Sequence, residues 1–462
     1  MALLGVAVQG RQYIRELQAL TNNDPALRFA GFPMGVAIQS ALNAVDLRAF
    51  AQAPAQRVFM AVASETRAQT ELEFSWARDV SITSVAYPDM ARHLGESTTS
   101  YLPVALFEQL KQWCATDIHV DGTDPSDKSD SLGVQRLNDR GVLRGSGFVE
   151  HAVFIPAQGL LTGVWCESEA TPSPKVVLVL SSSGRNPHIG GARVWVQLAR
   201  RLAEHGIFSV RFDLAGMGDS PPTAGAPEHL IYHSSGIPQL RSVIDHVAAR
   251  FPEAKICLIG ICSGGFLAFH EAISDSRVAG LMIVNLQCYE WRDGTSLEEV
   301  ADLLGKSTKT YRQLLADPQT WVRLRRGRVN TLYILKMAGR RLLSRLKQVV
   351  ADVQQLVKPS QGVSVNESAQ AVSCHGPGLV RRGFTGLSNR GTRTVVLYGD
   401  TDVGLDQFIR YFGVRGRLFL KLSGAKLSLR SDFDHDLHAE MAQNALHDEV
   451  LSLCKDLSSC LS

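Results

Sequence analysis

The feature that most constrains this chain is a regular alternation of short apolar runs with amphipathic stretches, which begins near residue 148. Strand-length apolar runs lie at 149–154, 160–165, 176–180, 208–212, 256–259 and 278–284, and helical patterns lie at 194–204, 240–251 and 266–273. Runs that are apolar at nearly every position are typical of strands buried on both faces, as in parallel sheets covered by helices. The pattern therefore predicts an α/β fold with a mostly parallel sheet and helices on both faces.

The alternation is interrupted once and then resumes. A helical, basic stretch at about 297–350 and a polar stretch at 358–378 follow the strand pattern at 278–284. Strand patterns return at 394–398 and 417–422, with a helix at 405–412 between them and a last helix from about 439. An insertion late in a parallel sheet predicts a helical cap, here at about 286–390.

The chain of 462 residues divides into three parts. Residues 148–462 hold the predicted sheet domain, and residues 117–147, rich in Asp, Gly and Ser, predict a linker. Residues 1–116 show a coarser order of strand, helix, strand and helix at 57–62, 71–77, 81–86 and 103–113. A smaller, partial α/β unit is therefore expected to precede the sheet domain.

Composition excludes several classes of protein. The chain is 45% hydrophobic and 20% charged, which is typical of a globular protein and not of a disordered or fibrous one. Its net charge of +3 is too small for its size to predict a nucleic-acid binder. The apolar start has no basic leader, and the longest apolar runs fall far short of the ~20 residues that span a bilayer. We therefore expect a cytoplasmic protein.

The cysteines have no repeated close pairs of the kind that form disulfide frameworks or structural zinc sites. There are eight: Cys114, Cys166, Cys257, Cys262, Cys288, Cys374, Cys454 and Cys460. They are interpreted as reduced thiols, and no metal or other cofactor is expected.

One of these cysteines lies in a sharp turn between a strand and a helix. The sequence Gly-Ile-Cys-Ser-Gly-Gly at 260–265 joins the strand pattern at 256–259 to the helix pattern at 266–273. Small residues two before and two after the central residue are typical of a nucleophile elbow, in which a strained residue presents its side chain at the helix N-terminus. Counted this way the central residue is Cys262, since Ser263 would have the branched Ile261 two positions before it. The alternative is that Cys262 is a small buried residue in an ordinary turn.

Residues 148–462 resemble the α/β-hydrolase superfamily, in particular its capped serine aminopeptidase and lysophospholipase-like lineage. The turn is similar to the cysteine elbow of dienelactone hydrolases and of hydrolases associated with exosortase clusters. Supporting segments are Ser-Gly-Arg at 183–185, Arg193 with the helix at 198–203, and Arg-Phe-Asp-Leu-Ala-Gly-Met-Gly-Asp-Ser at 211–220. The resemblance covers about two thirds of the chain and is specific for fold rather than for substrate.

This resemblance implies the other members of a catalytic triad. The acid is expected at Asp402, the last residue of Gly-Asp-Thr-Asp at 399–402, with Asp400 as the alternative. The histidine is expected at His435, in the loop before the last helix, and His438 is interpreted as a surface histidine. In such a site the imidazole takes the thiol proton and the carboxylate orients the ring.

Oxyanion donors are expected to be backbone N–H groups of Ser263, the residue after the nucleophile, and of Gly184. The Gly184 assignment has an alternative, because Ser/Gly loops are also ordinary strand ends. Asp213 is expected to hold loops together rather than to react.

The predicted cap carries a run of basic residues with Trp321, Arg325 and Arg326, which are candidates for substrate binding. Such a surface could recruit an anionic substrate or contact a membrane peripherally. A solvated helical face is the alternative, and sparse aromatic residues argue against nucleic-acid binding.

The N-terminal third is similar to the closing half of a second α/β hydrolase. Glu65 and His93 would then occupy the acid and histidine positions without an upstream nucleophile. A remnant domain, a chain whose original start lay further upstream, or an unrelated α/β segment would all explain this order.

The sequence thus predicts a hydrolase that acts on a carboxylic ester, lactone or thioester, a small-molecule acyl substrate, through an acyl-enzyme on Cys262. Two alternatives stay open. The same site could transfer the acyl group to a sugar or amine, or the protein could be a catalytically silent scaffold that binds a carrier.

Overall fold

The computed structural model describes residues 1–20, 28–29, 32–50, 55–63, 66–78, 80–90, 103–115, 141–157, 159–223, 231–295, 374–376 and 378–459. The chain forms two compact units, 1–140 and 141–462.

The first unit is a small α/β unit, as the sequence predicted. Its strands are β1 (Ala2–Leu4), β2 (Arg28–Phe29), β3 (Phe32–Pro33), β4 (Arg57–Val62) and β5 (Ser81–Ala86), and its helices are α1 (Gly10–Leu20), α2 (Val36–Ala44), α3 (Arg67–Trp76) and α4 (Val104–Ala115). The strands β1, β4 and β5 form a parallel sheet in that order, and the apolar β4 is buried at its centre. Glu65 and His93 lie outside the described residues.

The second unit contains a nine-stranded sheet. Its strands are β6 (Val142–Gly145), β7 (Phe148–Ala157), β8 (Gly159–Ser168), β9 (Val176–Ser181), β10 (Phe208–Phe212), β11 (Lys255–Ile261), β12 (Val278–Val284), β13 (Arg393–Gly399) and β14 (Ala425–Arg430). They are ordered β14-β13-β12-β11-β9-β10-β8-β7-β6. Strands β9 to β14 pair in parallel, and β6, β7 and β8 are antiparallel to their neighbours. The predicted α/β-hydrolase fold is confirmed.

Helices cover the sheet: α5 (Val194–Ala203), α6 (Gly236–Arg250), α7 (Ser263–Ser274), α8 (Leu379–Asn389), α9 (Val403–Phe412) and α10 (Glu440–Ser459). All six residues of β9 are buried, as expected for a strand with helices on both faces. Strand order reverses where β9 is followed by β10 on one side and by β11 on the other. Because such a reversal opens a crevice at the carboxyl ends of the strands, ligand-binding residues are expected there.

Three sequence predictions differ from the structure. The strand expected at 417–422 is a 3-10 helix at Phe419–Lys421, and the last strand is β14 instead. Leu418 and Leu420 of this segment are exposed, whereas Phe419 is fully buried. Glycines with positive φ on both sides, Gly416 and Gly424, turn the chain at the ends of this segment.

The other two differences concern boundaries. The predicted linker at 117–147 ends in β6, which pairs with β7 and extends the sheet. The predicted cap at 286–390 includes α8, but Val380, Phe384 and Leu387 of this helix are buried in the core of the second unit. This helix therefore belongs to the layer that covers the sheet.

Most of the predicted cap, with Trp321, Arg325 and Arg326, lies outside the described residues. Within the part of the chain that the structure describes, no helix is both long enough and apolar enough to span a bilayer.

Candidate active site

Cys262 lies at a sharp turn between β11 and α7. Its φ of 51° and ψ of −120° place it in a strained backbone region that non-glycine residues rarely adopt. Its backbone N–H donates to the carbonyl of Val284 on the neighbouring strand at 2.9 Å, which fixes the turn to the sheet. The side chain is buried, with 1% of its surface exposed. The structure thus gives Cys262 the backbone geometry of a nucleophile elbow.

The two glycines that flank Cys262 are required by close backbone contacts. A Cβ on Gly260 would lie 2.2 Å from the carbonyl carbon and oxygen of Gly264. A Cβ on Gly264 would lie 2.3 Å from the carbonyl oxygen of Ser181 on β9. Because these neighbours are backbone atoms, they cannot rotate away, and the turn can pass between strand and helix only without side chains at these positions.

Asp402 follows β13 and is the N-cap residue of α9. Its Oδ1 accepts a hydrogen bond from the backbone N–H of Gly404 at 2.7 Å. Its Oδ2 lies 2.6 Å from Nδ1 of His435. The cap holds one carboxylate oxygen to the helix and leaves the other for the imidazole. Asp402, rather than the alternative Asp400, therefore provides this carboxylate, whereas the backbone N–H of Asp400 donates to the carbonyl of Arg430.

His435 lies in the loop between β14 and α10. A carboxylate only accepts hydrogen bonds, so Nδ1 of His435 carries the proton and donates it to Asp402. Gln287 Nε2 also lies 3.2 Å from Nδ1, but a protonated Nδ1 cannot accept from it. The contact with Asp402 therefore sets the tautomer and leaves Nε2 without a proton in the neutral ring.

The charges around His435 favour its protonated form. Burial lowers the pKa of His435, but a negative charge on Cys262, the hydrogen bond to Asp402 and a hydrogen bond with Cys262 together raise it well above its usual value. An imidazole with these partners can hold a proton taken from the Cys262 thiol. The structure thus brings Cys262, Asp402 and His435 together, although they are far apart in sequence.

His438, interpreted as a surface histidine, has an exposed side chain with a local role. Its Nδ1 lies 2.8 Å from Oδ2 of Asp434, and its backbone N–H donates to the same carboxylate. The hydrogen bond to Asp434 raises the pKa of His438. This pair shapes the loop that carries His435.

Asn285 is a positioning residue that sequence reasoning did not identify. It follows β12 with a φ of 49° and is fully buried. Its Nδ2 donates to the carbonyls of Asp434 and His435, both at 2.9 Å, and its Oδ1 accepts from the N–H of Gly399 at 2.8 Å. One side chain therefore joins the ends of two strands to the histidine loop. An asparagine directly after an apolar strand was the only available signal.

The two expected oxyanion donors differ in the structure. Ser263 is the first residue of α7, and the first N–H groups of a helix have no partner within the helix, so this N–H suits the role. The N–H of Gly184, in contrast, donates to Oγ of Ser263 at 2.8 Å. The assignment of Gly184 as oxyanion donor is therefore corrected, because its hydrogen already binds within the protein.

Asp213 holds loops together, as expected. Its carboxylate accepts from the backbone N–H of His188 and of Asp219, the latter at 3.0 Å, and contacts His188 Nδ1 at 2.8 Å. The side chains of His188, Asp213 and Asp219 carry possible metal-ligand atoms that lie within 4.8 Å of one another. The Asp213 oxygens already accept these bonds, so the cluster is explained as a structural link.

Part of the second unit matches a known protein family. Residues 172–355 match the model of the serine aminopeptidase family S33. This range includes β9 to β12 and the elbow. The second unit has the fold of the α/β-hydrolase superfamily, and its central part resembles the serine aminopeptidase family. The match covers less than half of the chain and supports a hydrolase.

The solved structures that resemble this chain are distant in sequence. An α/β serine hydrolase homologue from Coxiella burnetii is 14% identical, covering 65% of this chain and 96% of its own, with a TM-score of 0.36. A dienelactone hydrolase from Anabaena variabilis is 9% identical, with coverages of 66% and 97% and a TM-score of 0.38. A cold-adapted esterase from an Arctic intertidal metagenomic library is 12% identical, with coverages of 66% and 96% and a TM-score of 0.35. A comparison with curated proteins gave no significant match.

Proposed function

We propose that this α/β hydrolase cleaves a carboxylic ester, lactone or thioester through an acyl-enzyme on Cys262. The observation that carries the proposal is the arrangement of three groups. Cys262 lies at the strained elbow, its negative charge helps to raise the pKa of His435, and Asp402 lies 2.6 Å from Nδ1 of the same ring. Thiol, imidazole and carboxylate in this order are the groups that nucleophilic acyl transfer requires.

In the first half-reaction Nε2 of His435 takes the proton of the Cys262 thiol, and the sulfur attacks the acyl carbon. The carbonyl oxygen becomes an oxyanion next to the N–H of Ser263. When the intermediate collapses, the bond to the leaving group breaks, and His435 returns the proton to that group. The products of this step are a thioester on Cys262 and a free alcohol or thiol.

In the second half-reaction His435 acts as general base toward water. It takes one proton from a water molecule whose oxygen attacks the thioester carbon, and it then returns that proton to the Cys262 sulfur. The free acid leaves. Asp402 keeps the ring in the productive tautomer and stabilises the imidazolium in both halves.

Intact-protein mass spectrometry with short acyl thioesters tests the proposal. We expect the mass to rise by that of one acyl group and peptide mapping to place the group on Cys262. The free acid should then appear as the adduct decays. An adduct on another residue, or none with any ester or thioester, would contradict the proposal. Transfer to an added amine with little free acid would instead favour the acyltransferase alternative.

The role of Asp402 leads to a prediction about pH. In the acyl-enzyme the sulfur carries no charge. The hydrogen bond to Asp402 is then the main remaining interaction that raises the pKa of His435. Deacylation needs a neutral ring, so its rate rises as pH increases through this pKa. In Asp402→Asn the pKa falls, and we expect the rise to move to lower pH.

The plateau of the same profile should also fall, by roughly 10³- to 10⁴-fold, because an amide does not enforce the productive tautomer. Asparagine is itself a good N-cap, so α9 should remain intact. The measurement is kcat against pH at saturating thioester. A rise that stays in place or moves to higher pH would show that Asp402 does not act on His435.

A further inference from the structure

Tyr232 is a buried side chain whose hydroxyl contacts the sulfur of Cys262. Its Oη lies 3.2 Å from Sγ, and only 4% of the residue is exposed. Tyr232 lies between β10 and α6, and sequence reasoning gave it no role. Among the described residues, Tyr232 places a hydroxyl against the proposed nucleophile.

The backbone and neighbours of Tyr232 hold the hydroxyl in this position. The residue has a φ of 60°, which is strained for a bulky side chain and persists only where the surroundings enforce it. Its ring stacks on Trp291, with centroids 5.4 Å apart and an interplanar angle of 26°. It also meets the ring of Phe266 edge-on, with centroids 5.5 Å apart. The hydroxyl is thus fixed by two aromatic neighbours and by a strained backbone.

The hydroxyl keeps its proton. Burial and the adjacent negative charge of Cys262 raise the pKa of Tyr232 well above its usual value. Tyr232 is therefore a neutral hydrogen-bond donor and not a base. In the tetrahedral intermediate, the oxyanion is separated from Sγ by one carbon atom, so a donor that contacts Sγ is within reach of the oxyanion.

The candidate site lacks one of its two expected oxyanion donors. The N–H of Gly184, where the second oxyanion donor was expected, donates to Ser263 Oγ at 2.8 Å. The N–H of Ser263 then remains as a single backbone donor from the two expected positions. Acyl-transfer enzymes stabilise the oxyanion with at least two preorganised donors, and a side-chain hydroxyl can replace one of them.

We propose that Tyr232 is a catalytic residue that donates its phenolic hydrogen bond to the oxyanion, in the place expected for Gly184. This inference rests on the proposed acyl-enzyme on Cys262. Tyr232 forms and breaks no covalent bond and keeps its proton throughout. Its hydrogen bond strengthens as negative charge develops on the acyl oxygen during both half-reactions.

The variant Tyr232→Phe separates this role from packing, because it keeps the ring and removes only the hydroxyl. Two reactions of Cys262 are compared, acylation by an acyl thioester and alkylation by iodoacetamide. Both need the sulfur nucleophile, but only acylation develops an oxyanion. We expect acylation to slow by roughly 10²- to 10³-fold and alkylation to change by less than about threefold.

Tyr289→Phe is the matched control. Tyr289 is also fully buried, but its hydroxyl meets that of Tyr398 at 3.1 Å. This variant loses one buried tyrosine hydroxyl and should keep the wild-type acylation rate. Thermal melting of both variants shows whether either fold is disturbed.

Three results would overturn the inference. If acylation and alkylation slow equally in Tyr232→Phe, the hydroxyl acts on the sulfur; if neither slows, it has no catalytic role. If acylation slows as much in Tyr289→Phe, the effect comes from packing. Wild-type protein that is not acylated on Cys262 would instead refute the proposed function, and the assignment of Tyr232 would fall with it.

Discussion

Replacing Cys262 with alanine is expected to lower kcat/KM for thioester hydrolysis by roughly 10⁴-fold or more, as the loss of a nucleophile does in other covalent hydrolases. The sulfur is the atom to which the proposed acyl group binds, and the variant lacks it. Residual turnover would come from the oxyanion donors and from binding alone. The measurement is steady-state hydrolysis of aryl esters and acyl thioesters, with intact mass read in parallel.

The fold of Cys262→Ala should be preserved. Alanine removes one atom at a position where the backbone strain, and not the side chain, defines the turn. Cys114→Ala is the matched control, because Cys114 is an exposed free thiol on α4 of the first unit. It should keep wild-type activity. If Cys262→Ala kept it too, Cys262 would be only a small buried residue in a turn.

Replacing Gly260 with alanine should disrupt the elbow itself. The added Cβ would lie 2.2 Å from Gly264 backbone atoms and 2.4 Å from the backbone nitrogen of Gly265. Strand and helix would have to move apart, which we expect to lower the free energy of unfolding by about 3 kcal/mol. Activity should fall by more than the loss of folded protein explains, because the thiol would move away from His435. Chemical denaturation and thioester hydrolysis measure the two effects.

Gly386→Ala provides the control for this glycine. Gly386 lies on the exposed face of α8, where an added Cβ would meet no atom within 4 Å. Alanine has the higher helix propensity, so the variant should be more stable by about 0.5–1 kcal/mol and fully active. A Gly260→Ala protein that unfolds at the same denaturant concentration as wild type would show that the elbow tolerates a side chain there.

Sequence reasoning located the residues of the candidate site wherever a local pattern was tied to one place in the fold. The glycines around Cys262 marked the elbow because only glycine fits between two backbone segments in contact. Asp402 and His435 were named through a family resemblance, Asp402 from its place after a strand and His435 from its place in the loop before the last helix. Sequence reasoning was wrong at 417–422, where a strand was predicted but the chain forms a short 3-10 helix that buries Phe419.

The residues that sequence reasoning missed are defined by contacts that exist only in the folded structure. Tyr232 lies 30 residues from Cys262 in sequence, and nothing local indicates that its hydroxyl contacts the sulfur. Asn285 bonds to groups more than 100 residues away. The donation from Gly184 to Ser263 likewise joins two loops 79 residues apart.

The amino-acid order by itself determined the α/β class, the position of the elbow and which cysteine occupies it, because strand periodicity and steric demand for glycine are local properties. The tertiary structure decided which hydrogen bonds are already taken. In the folded chain Asp402 contacts His435, the N–H of Gly184 donates to Ser263, and Tyr232 lies beside the thiol. Those outcomes depend on how distant strand ends converge at one edge of the sheet, which chain packing alone establishes.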